Sequence, residues 1–158
     1  MIIRPATPAD VPQIVRLFYE TVHAVCAADY TPAQLDAWAP AVPGQRAWAG
    51  RLATRTTFVA DDGGTIAGFA ELQRDGHIDC FYTHKSYQRL GVGSALLERL
   101  ERHARAAGLG RLTADVSLTA RAFFEHRGFR VVRPQSVVRG GVRLDNLRME
   151  LILPAGAH

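Results

Sequence analysis

Apolar residues in the first third of the chain recur at the spacing of helices. A repeat from Ile14 to about residue 25 follows Thr7-Pro8, a pair typical of a helix start. Thr31-Pro32 repeats this signal ahead of a short helix, and a further helical stretch is predicted over 46–54. The first third therefore predicts three helices.

The pattern then changes to the alternation of strands, with glycine-rich turns after Ala60, at Asp75-Gly76 and at Gly140-Gly141. The order of elements predicts an α+β (mixed α/β) fold, with a central mixed twisted sheet of about seven strands and helices packed on it. The predicted strands cover 2–6, 57–60, 65–72, 77–83, 111–116, 129–138 and 142–151, and two later helices cover 93–107 and 119–126.

Composition indicates one globular domain, over 1–158. Of the 158 residues, 47% are hydrophobic and 22% are charged, which is close to the globular average. No apolar run reaches the roughly 20 residues of a membrane-spanning helix, and the N-terminus lacks the pattern of a signal peptide. Cys26 and Cys80 have no metal-type spacing, so we expect a reduced, cytoplasmic protein with no metal and no membrane partner.

The charge of the chain is basic but dispersed. The formal net charge is +4, and almost all of the positive charge is arginine, because Lys85 is the only lysine. Scattered arginines are typical of a solvated surface, and they also favour an anionic ligand such as a phosphate-rich cofactor. We expect no nucleic-acid partner, because the basic residues form no motif with aromatic ones.

The most informative segment runs from a strand through a loop into a helix, over 82–94. Gly91 and Gly93 stand at the start of that helix, where free backbone N–H groups and close approach favour a phosphate. The pattern lacks the third glycine of a dinucleotide-binding turn and the Gly-Lys-Ser/Thr of a P-loop. By itself, Gln88-x-x-Gly91-x-Gly93 is compatible with either an anion site or a plain tight turn.

Two motifs together resemble the GNAT superfamily of acyl-CoA N-acyltransferases. The first is Gln88-x-x-Gly91-x-Gly93, and the second is Ser117-x-x-Ala120-x-x-Phe123-Phe124-x-x-x-Gly128-Phe129. The order of elements matches that family across essentially the whole chain. More loosely, Tyr30-Thr31-Pro32, Trp38-Ala39-Pro40 and Gly76-His77-Ile78-Asp79 resemble the YafP-like branch of the superfamily.

The resemblance implies a site for acetyl-CoA, used as a co-substrate, between two splayed parallel strands. It implies that the strand backbone at Phe81, Tyr82 and Thr83 pairs with the pantetheine arm. Ser117 stands where the family often has asparagine, although it would serve equally as a helix cap, and Phe124 stands beside the cofactor. The segment implied to hold the pyrophosphate consists of Gln88, Arg89, Leu90, Gly91, Val92, Gly93 and Ser94.

Catalytic candidates follow from the chemistry of amine acylation. The attacking amine must lose a proton, and the resemblance implies a base near His77, which strand alternation places on one face with Asp79. Glu71 is a further candidate. Many family members have a tyrosine that acts as general acid at the position of Phe124. We therefore consider Tyr82 as a replacement acid, with core packing as its alternative role.

The acceptor site in such a fold is expected between the first helices and the closing hairpin. Tyr30, Trp38 and Trp48 are candidates to line it, although they would equally pack the helical layer, and Asp145 is a candidate to hold an amine cation. We therefore expect an N-acetyltransferase that moves an acetyl group from acetyl-CoA to a primary amine of a small molecule in a ternary complex. The alternative is an acyl-CoA-binding sensor of the same fold with little catalysis. A homodimer through exposed strand edges is a further expectation.

Overall fold

A mixed seven-stranded sheet forms the centre of the protein in a computed structural model that describes residues 1–154. Its strands are β1 (Ile2–Pro5), β2 (Thr56–Asp62), β3 (Thr65–Leu72), β4 (His77–Thr83), β5 (Arg111–Ser117), β6 (Arg130–Arg139) and β7 (Val142–Ile152). They lie in the order β1-β2-β3-β4-β5-β7-β6. Every neighbouring pair is antiparallel except β4 and β5, which are parallel. The predicted mixed sheet is confirmed.

Helices cover both faces of this sheet. They are α1 (Val11–Val25), α2 (Pro32–Trp38), α3 (Gln45–Leu52), α4 (Val92–Ala106) and α5 (Arg121–His126). On one face, Leu96, Leu97 and Leu100 of α4 are fully buried against the sheet, together with residues of α5. On the other face, Ile14 and Leu17 of α1 are buried against β2 and β3. In residues 1–154, no helix has the length and apolar character needed to cross a membrane.

The parallel pair β4–β5 at the centre of the sheet is unusually short. Only two residue pairs join these strands, His77 with Thr113 and Ile78 with Ala114. A bulge leaves Asp79 without a partner on β3, because Glu71 pairs with Cys80 and the next residue of β3 pairs with Ile78. Beyond the bulge β4 and β5 diverge, and we call the resulting opening the strand gap.

Helix α4 approaches the sheet closely at Gly68 of β3. A Cβ atom built on Gly68 would lie 2.9 Å from Val92 Cγ1, 3.0 Å from Leu96 Cδ1 and 3.0 Å from the carbonyl oxygen of Tyr82. A side chain here would therefore push the helix away from the strands that border the strand gap.

We expect Gly68→Ala to lower the free energy of unfolding by about 1–3 kcal/mol, because the added methyl group overpacks this contact. Urea denaturation measures the effect. Gly50→Ala in α3 is the matched control, since a Cβ there meets no atom within 4 Å, and alanine stabilises a helix by up to about 1 kcal/mol. Equal stability of the two variants would show that the close packing at Gly68 is unimportant.

Candidate active site

The strand gap exposes backbone groups of β4. His84 N–H donates to Ala67 O at 2.8 Å, and hydrogen bonding alternates along an antiparallel pair. The backbone of Tyr82 therefore faces β3, whereas the N–H and C=O groups of Phe81 and Thr83 face the gap. Thr83 O accepts hydrogen bonds from Thr21 Oγ1 at 3.1 Å and from Gln88 Nε2 at 2.7 Å.

A large cleft of about 890 Å³ leads from the surface to the strand gap. This volume lies within the range of sites for cofactor-sized molecules, about 300–1,000 Å³. Residues of α1, the loop before α4, the end of β5 and α5 form its walls. The lining residues are Thr21, Val25, Cys26, Ala28, Phe81, Tyr82, Thr83, Tyr87, Gln88, Arg89, Gly91, Val92, Gly93, Ser94, Ser117, Thr119, Ala120, Ala122, Phe123, Phe124 and His126.

The N-terminus of α4 offers unpaired donors to this cleft. The first N–H of the helix with a helical partner is that of Ala95, which donates to Gly91 O at 3.1 Å. The N–H groups of Val92, Gly93 and Ser94 precede it, and no side chain caps them. Gly91 adopts a φ of +83°, and a Cβ atom on it would meet no protein atom within 4 Å. This surface therefore fits a diphosphate held by backbone N–H groups and the helix dipole.

The side chains of the predicted phosphate loop do not all face the large cleft. The side chain of Gln88 turns inward to the carbonyl groups of Thr83 and His84. Arg89 lines the cleft with a positive φ of 61°, an unfavourable conformation for a residue with a Cβ. Val92 packs in the core with its backbone at the cleft, whereas Leu90 is 65% exposed and lies outside the lining.

The chain matches the model of the acetyltransferase (GNAT) domain over residues 26–151. This chain belongs to the GNAT acetyltransferase family. It is 33% identical over 147 residues to the uncharacterized N-acetyltransferase YafP of Escherichia coli (strain K12), with 93% of each chain covered.

Solved structures agree with the family assignment. A GCN5-related N-acetyltransferase from Rhodopseudomonas palustris, also titled aminotransferase class-II, has a TM-score of 0.91 and 34% identity, with 96% of this chain and 95% of that chain covered. PaiA N-acetyltransferase from Thermoplasma acidophilum, solved with coenzyme A, has a TM-score of 0.80 and 17% identity, with 96% and 98% covered. The second likeness concerns the fold alone.

A small cavity of about 60 Å³ lies at the strand gap, next to the large cleft of this acetyltransferase. The two spaces share Phe81, Tyr82, Ser117, Ala120 and Phe124 as walls. The two spaces therefore adjoin each other at the strand gap. Its remaining walls are Trp38, Ile78, Asp79, Ala114, Asp115 and Val116.

The carboxylate of Asp79 belongs to a cluster of ion pairs beside α3. Its carboxylate lies 3.0 Å from Arg51 NH2 and 3.1 Å from Arg55 Nε. Both arginines also contact Glu71, which is 1% exposed. Burial by itself would raise the pKa of Asp79, but a hydrogen bond with Gln73 and the two arginine charges hold it below its ordinary value. Asp79 is therefore ionised at neutral pH and faces the small cavity as an anion.

His77 has different partners from those that the sequence suggests. Its Nδ1 lies 2.9 Å from Thr113 Oγ1 and 3.4 Å from Arg148 NH1, while its Nε2 lies 3.6 Å from Asp115 Oδ2. The bulge at Asp79 and the ion pairs with Arg51 and Arg55 direct the carboxylate of Asp79 away from His77. Because Arg148 can only donate, its contact favours Nδ1 as the acceptor nitrogen, and Nε2 is the nitrogen that faces Asp115.

Asp115 lines the small cavity but is not among the residues predicted from the sequence. It lies on β5 and also accepts hydrogen bonds from Gln135 Nε2 at 2.7 Å and Arg148 NH1 at 3.1 Å. Its proximity to His77 depends on the register between two parallel strands, which the sequence does not reveal. The alternation of polar Thr113 and Asp115 with apolar neighbours was the one available signal.

Phe124 and Tyr82 separate the two spaces. Phe124 is 3% exposed, and its ring centre lies 5.0–5.3 Å from those of Phe81, Phe123 and Phe129. Tyr82 packs on the opposite face of the sheet, where its ring meets Phe18, Trp38 and Phe69. Burial raises the pKa of Tyr82 well above its ordinary value, so its hydroxyl stays protonated.

Ser117 lies where both spaces meet. Its Oγ accepts from Ala120 N–H at 3.1 Å, so it closes a turn. This turn makes α5 begin at Arg121, two residues after the predicted start.

Of the four predicted acceptor residues, only Trp38 lines the small cavity. Tyr30 is buried, and its hydroxyl donates to Asp145 O at 2.6 Å and accepts from Leu118 N–H at 3.0 Å. Trp48 packs between Phe18 and Phe69, beneath the guanidinium of Arg51. These two aromatic residues therefore stabilise the helical layer, which was their alternative role.

The carboxylate of Asp145 lies outside the walls of the large cleft and the small cavity, and its Oδ1 has partners of its own. Ser136 Oγ donates to it at 2.7 Å and Arg143 Nε at 2.9 Å, within the β6–β7 hairpin.

Within 1–154, His, Cys, Asp and Glu side chains form no group of three that could hold a metal ion.

Cys26 lines the large cleft and is 5% exposed, and burial raises its pKa to about 11. A raised pKa disfavours the thiolate, so at pH 8 we expect iodoacetamide to modify Cys26 about a hundredfold more slowly than an unperturbed cysteine. Mass spectrometry of timed samples measures the rate, and the protein unfolded in urea is the control. Native modification as fast as in urea would contradict the burial of this thiol.

Proposed function

We propose that this protein transfers the acetyl group of acetyl-CoA to a primary amine of a small acceptor while both substrates are bound. The observation that carries the proposal is that the large cleft and the small cavity adjoin at the strand gap and share five wall residues. The large cleft offers N–H donors for an anion, and the small cavity offers carboxylates for a cation. A donor and an acceptor in these two spaces would meet at the gap.

The donor is proposed to occupy the large cleft. Its diphosphate would accept hydrogen bonds from the N–H groups at the start of α4, and Arg89 would add a charge-assisted contact. The pantetheine arm would pair with the backbone groups of Phe81 and Thr83 that face the gap. PaiA, which has the same fold, was solved with coenzyme A. Bound there, the thioester supplies an activated acyl group.

The acceptor amine is proposed to bind as an ammonium ion between Asp79 and Asp115. Asp79 is held by two arginines, so it attracts the cation but is a weak base. Asp115 Oδ2 has only a long contact with His77, which supports Asp115 as the base that takes a proton from the ammonium ion and frees the lone pair for attack. The second N–H proton, which is released after the C–N bond forms, balances the proton that the leaving sulfur gains. His77 would then orient this carboxylate through Nε2–H, which refines the direct catalytic role predicted for it.

Backbone groups at the strand gap are proposed to stabilise the developing negative charge. As the amine attacks, the carbonyl oxygen of the acetyl group gains charge that a preorganised N–H can neutralise. The N–H groups of Phe81 and Thr83 face the gap and are the nearest donors from β4. The thiolate then leaves readily, because a thiol has a pKa of about 8.5.

We expect calorimetry to detect acetyl-CoA binding, and we expect Gly93→Val to weaken it at least about tenfold, or about 1.4 kcal/mol. The valine would press on the rings of Phe123 and Phe81, since a Cβ on Gly93 lies 3.2 Å from Phe123 and 3.6 Å from Phe81, and it would displace the first turn of α4 that carries the N–H groups. Gly110→Val is the matched control, since a Cβ there meets no atom within 4 Å and Gly110 does not line the large cleft.

A thiol-release assay over a panel of primary amines tests turnover in the same preparations. Tight binding of acetyl-CoA with no thiol release would contradict the enzyme and favour a sensor of the same fold. Unchanged binding in Gly93→Val would contradict the proposed donor site.

Tyr82 is the proposed proton donor to the leaving sulfur. It borders both spaces, and it is protonated at every pH below its raised pKa. We expect Tyr82→Phe to lower kcat about tenfold or more with unchanged affinity for acetyl-CoA. The double variant Tyr82→Phe with Phe124→Tyr should recover part of kcat, because it returns a hydroxyl to the position used by many family members. Steady-state kinetics with calorimetry measure both, and an unaffected kcat in Tyr82→Phe would show that the thiolate leaves unassisted.

A further inference from the structure

Strand β5 leaves the sheet after Ser117, although the neighbouring strand β7 extends further. Ser117 is the last residue of β5 that pairs with β7, and one further step would pair Leu118 with Asp145. Hydrogen-bonded and non-bonded pairs alternate along antiparallel strands. Leu153 N–H donates to Gly110 O at 2.9 Å, and counting in twos from that pair makes the next one a hydrogen-bonded pair.

The hydroxyl group of Tyr30 takes the place of the next hydrogen bond between these strands. It accepts from Leu118 N–H at 3.0 Å and donates to Asp145 O at 2.6 Å, and these are the two groups that a further pair would join. Tyr30 is 7% exposed, so its hydroxyl satisfies both groups away from bulk water, where an unmade hydrogen bond is costly. The hydroxyl therefore ties β5 to β7 where the two strands no longer pair directly.

Gln34, one helical turn further along the chain, satisfies β7 in a similar way. Its Nε2 donates to Arg143 O at 3.0 Å. Arg143 and Asp145 are two residues apart on β7, so their carbonyl groups point to the same side of the strand, which is the side that β5 has left. The segment that begins with Tyr30-Thr31-Pro32 thus supplies side chains where the backbone of β5 would otherwise pair.

The turn that follows β5 is a wall of the candidate active site. Ser117, Thr119 and Ala120 line the large cleft, and two of them also line the small cavity. A direct bond from Leu118 to β7 would require the two strands to close on each other, which would carry this turn away from the strand gap. The ring of Tyr30 also packs against Trp38, another wall of the small cavity, with 5.4 Å between ring centres.

We propose that Tyr30 is a positioning residue, whose hydroxyl group holds the turn over 117–120 at the strand gap. This inference rests on the proposed function, in which the donor and the acceptor meet at that gap. It concerns the hydroxyl group alone, because the ring by itself suffices to fill the buried space.

Tyr30→Phe removes the hydroxyl group and keeps the ring. We expect kcat to fall about tenfold or more, because a displaced wall misplaces the reacting groups. Adenosine 3′,5′-bisphosphate, which lacks the pantetheine arm, should bind equally to variant and wild type in calorimetry, since it does not reach the turn. Tyr19→Phe is the matched control and should keep the wild-type kcat, because Tyr19 stacks on His23 in α1 and lines neither space.

A double-mutant cycle distinguishes positioning from a purely structural role. Ser117→Ala disturbs the same turn, because Ser117 Oγ accepts from Ala120 N–H within it. If Tyr30 acts through the turn, the double variant should lose less kcat than the product of the two single losses. Losses that multiply, or a wild-type kcat in a folded Tyr30→Phe protein, would overturn the inference.

Amide hydrogen exchange of Leu118, followed by NMR, tests the tie without reference to catalysis. We expect exchange at least about tenfold faster in Tyr30→Phe than in wild type. Tyr30→4-aminophenylalanine returns a donor for Asp145 O and should give an intermediate rate, and it provides the comparison with wild type where Tyr30→Phe does not fold. Exchange as slow as in wild type in these variants would contradict the role of the hydroxyl group. If the wild-type protein acetylates no amine, the proposed function fails, whereas the exchange rates still decide whether Tyr30 holds the turn.

Discussion

The divergence of β4 and β5 after only two paired residues is the constraint on which the site depends. A central parallel pair in a buried sheet would normally continue, because unpaired backbone N–H and C=O groups away from water are costly. Here the bulge at Asp79 ends the pairing, and aromatic side chains occupy both faces beyond it. Backbone groups of Phe81 and the N–H group of Thr83 are then open to an extended ligand arm, whereas Thr83 O already accepts from Thr21 and Gln88.

The large cleft and the small cavity, which adjoin at the strand gap, present opposite charges. The start of α4 presents N–H groups and the positive end of a helix dipole to the large cleft. Asp79 and Asp115 present negative charge to the small cavity. In the proposed function, an anionic donor would be attracted to one side of the gap and a cationic acceptor to the other.

The sequence predicted the elements well because their signals are local. Turn residues, helix start signals and the change of apolar period determine where strands and helices lie, and all seven strands were found. The motif over 82–94 predicts a cofactor site for the same reason, since one continuous segment makes it, and most of this segment lines the large cleft. The family resemblance then supplied the strand gap, which no local pattern indicates.

The acceptor side was predicted less well because it depends on contacts between distant segments. Asp115 meets His77 through the register of parallel strands, and Asp79 meets Arg51 and Arg55 through the packing of α3. Neither contact follows from spacing along the chain. Tyr30 and Trp48 were judged by size and aromatic character, which do not distinguish a pocket wall from a packed layer.

Phenylalanine at position 124 is consistent with this division of roles. Its ring lies among three other phenylalanine rings at centre distances of 5.0–5.3 Å, where a hydroxyl without a partner would cost free energy of burial. A thiolate is a good leaving group, so protonation of sulfur contributes less to the rate than removal of a proton from the amine. Loss of the acid at this position therefore costs the reaction less than loss of a base would. In the proposed function, the carboxylates of the small cavity, which would bind and deprotonate the amine, then have the larger influence on the rate.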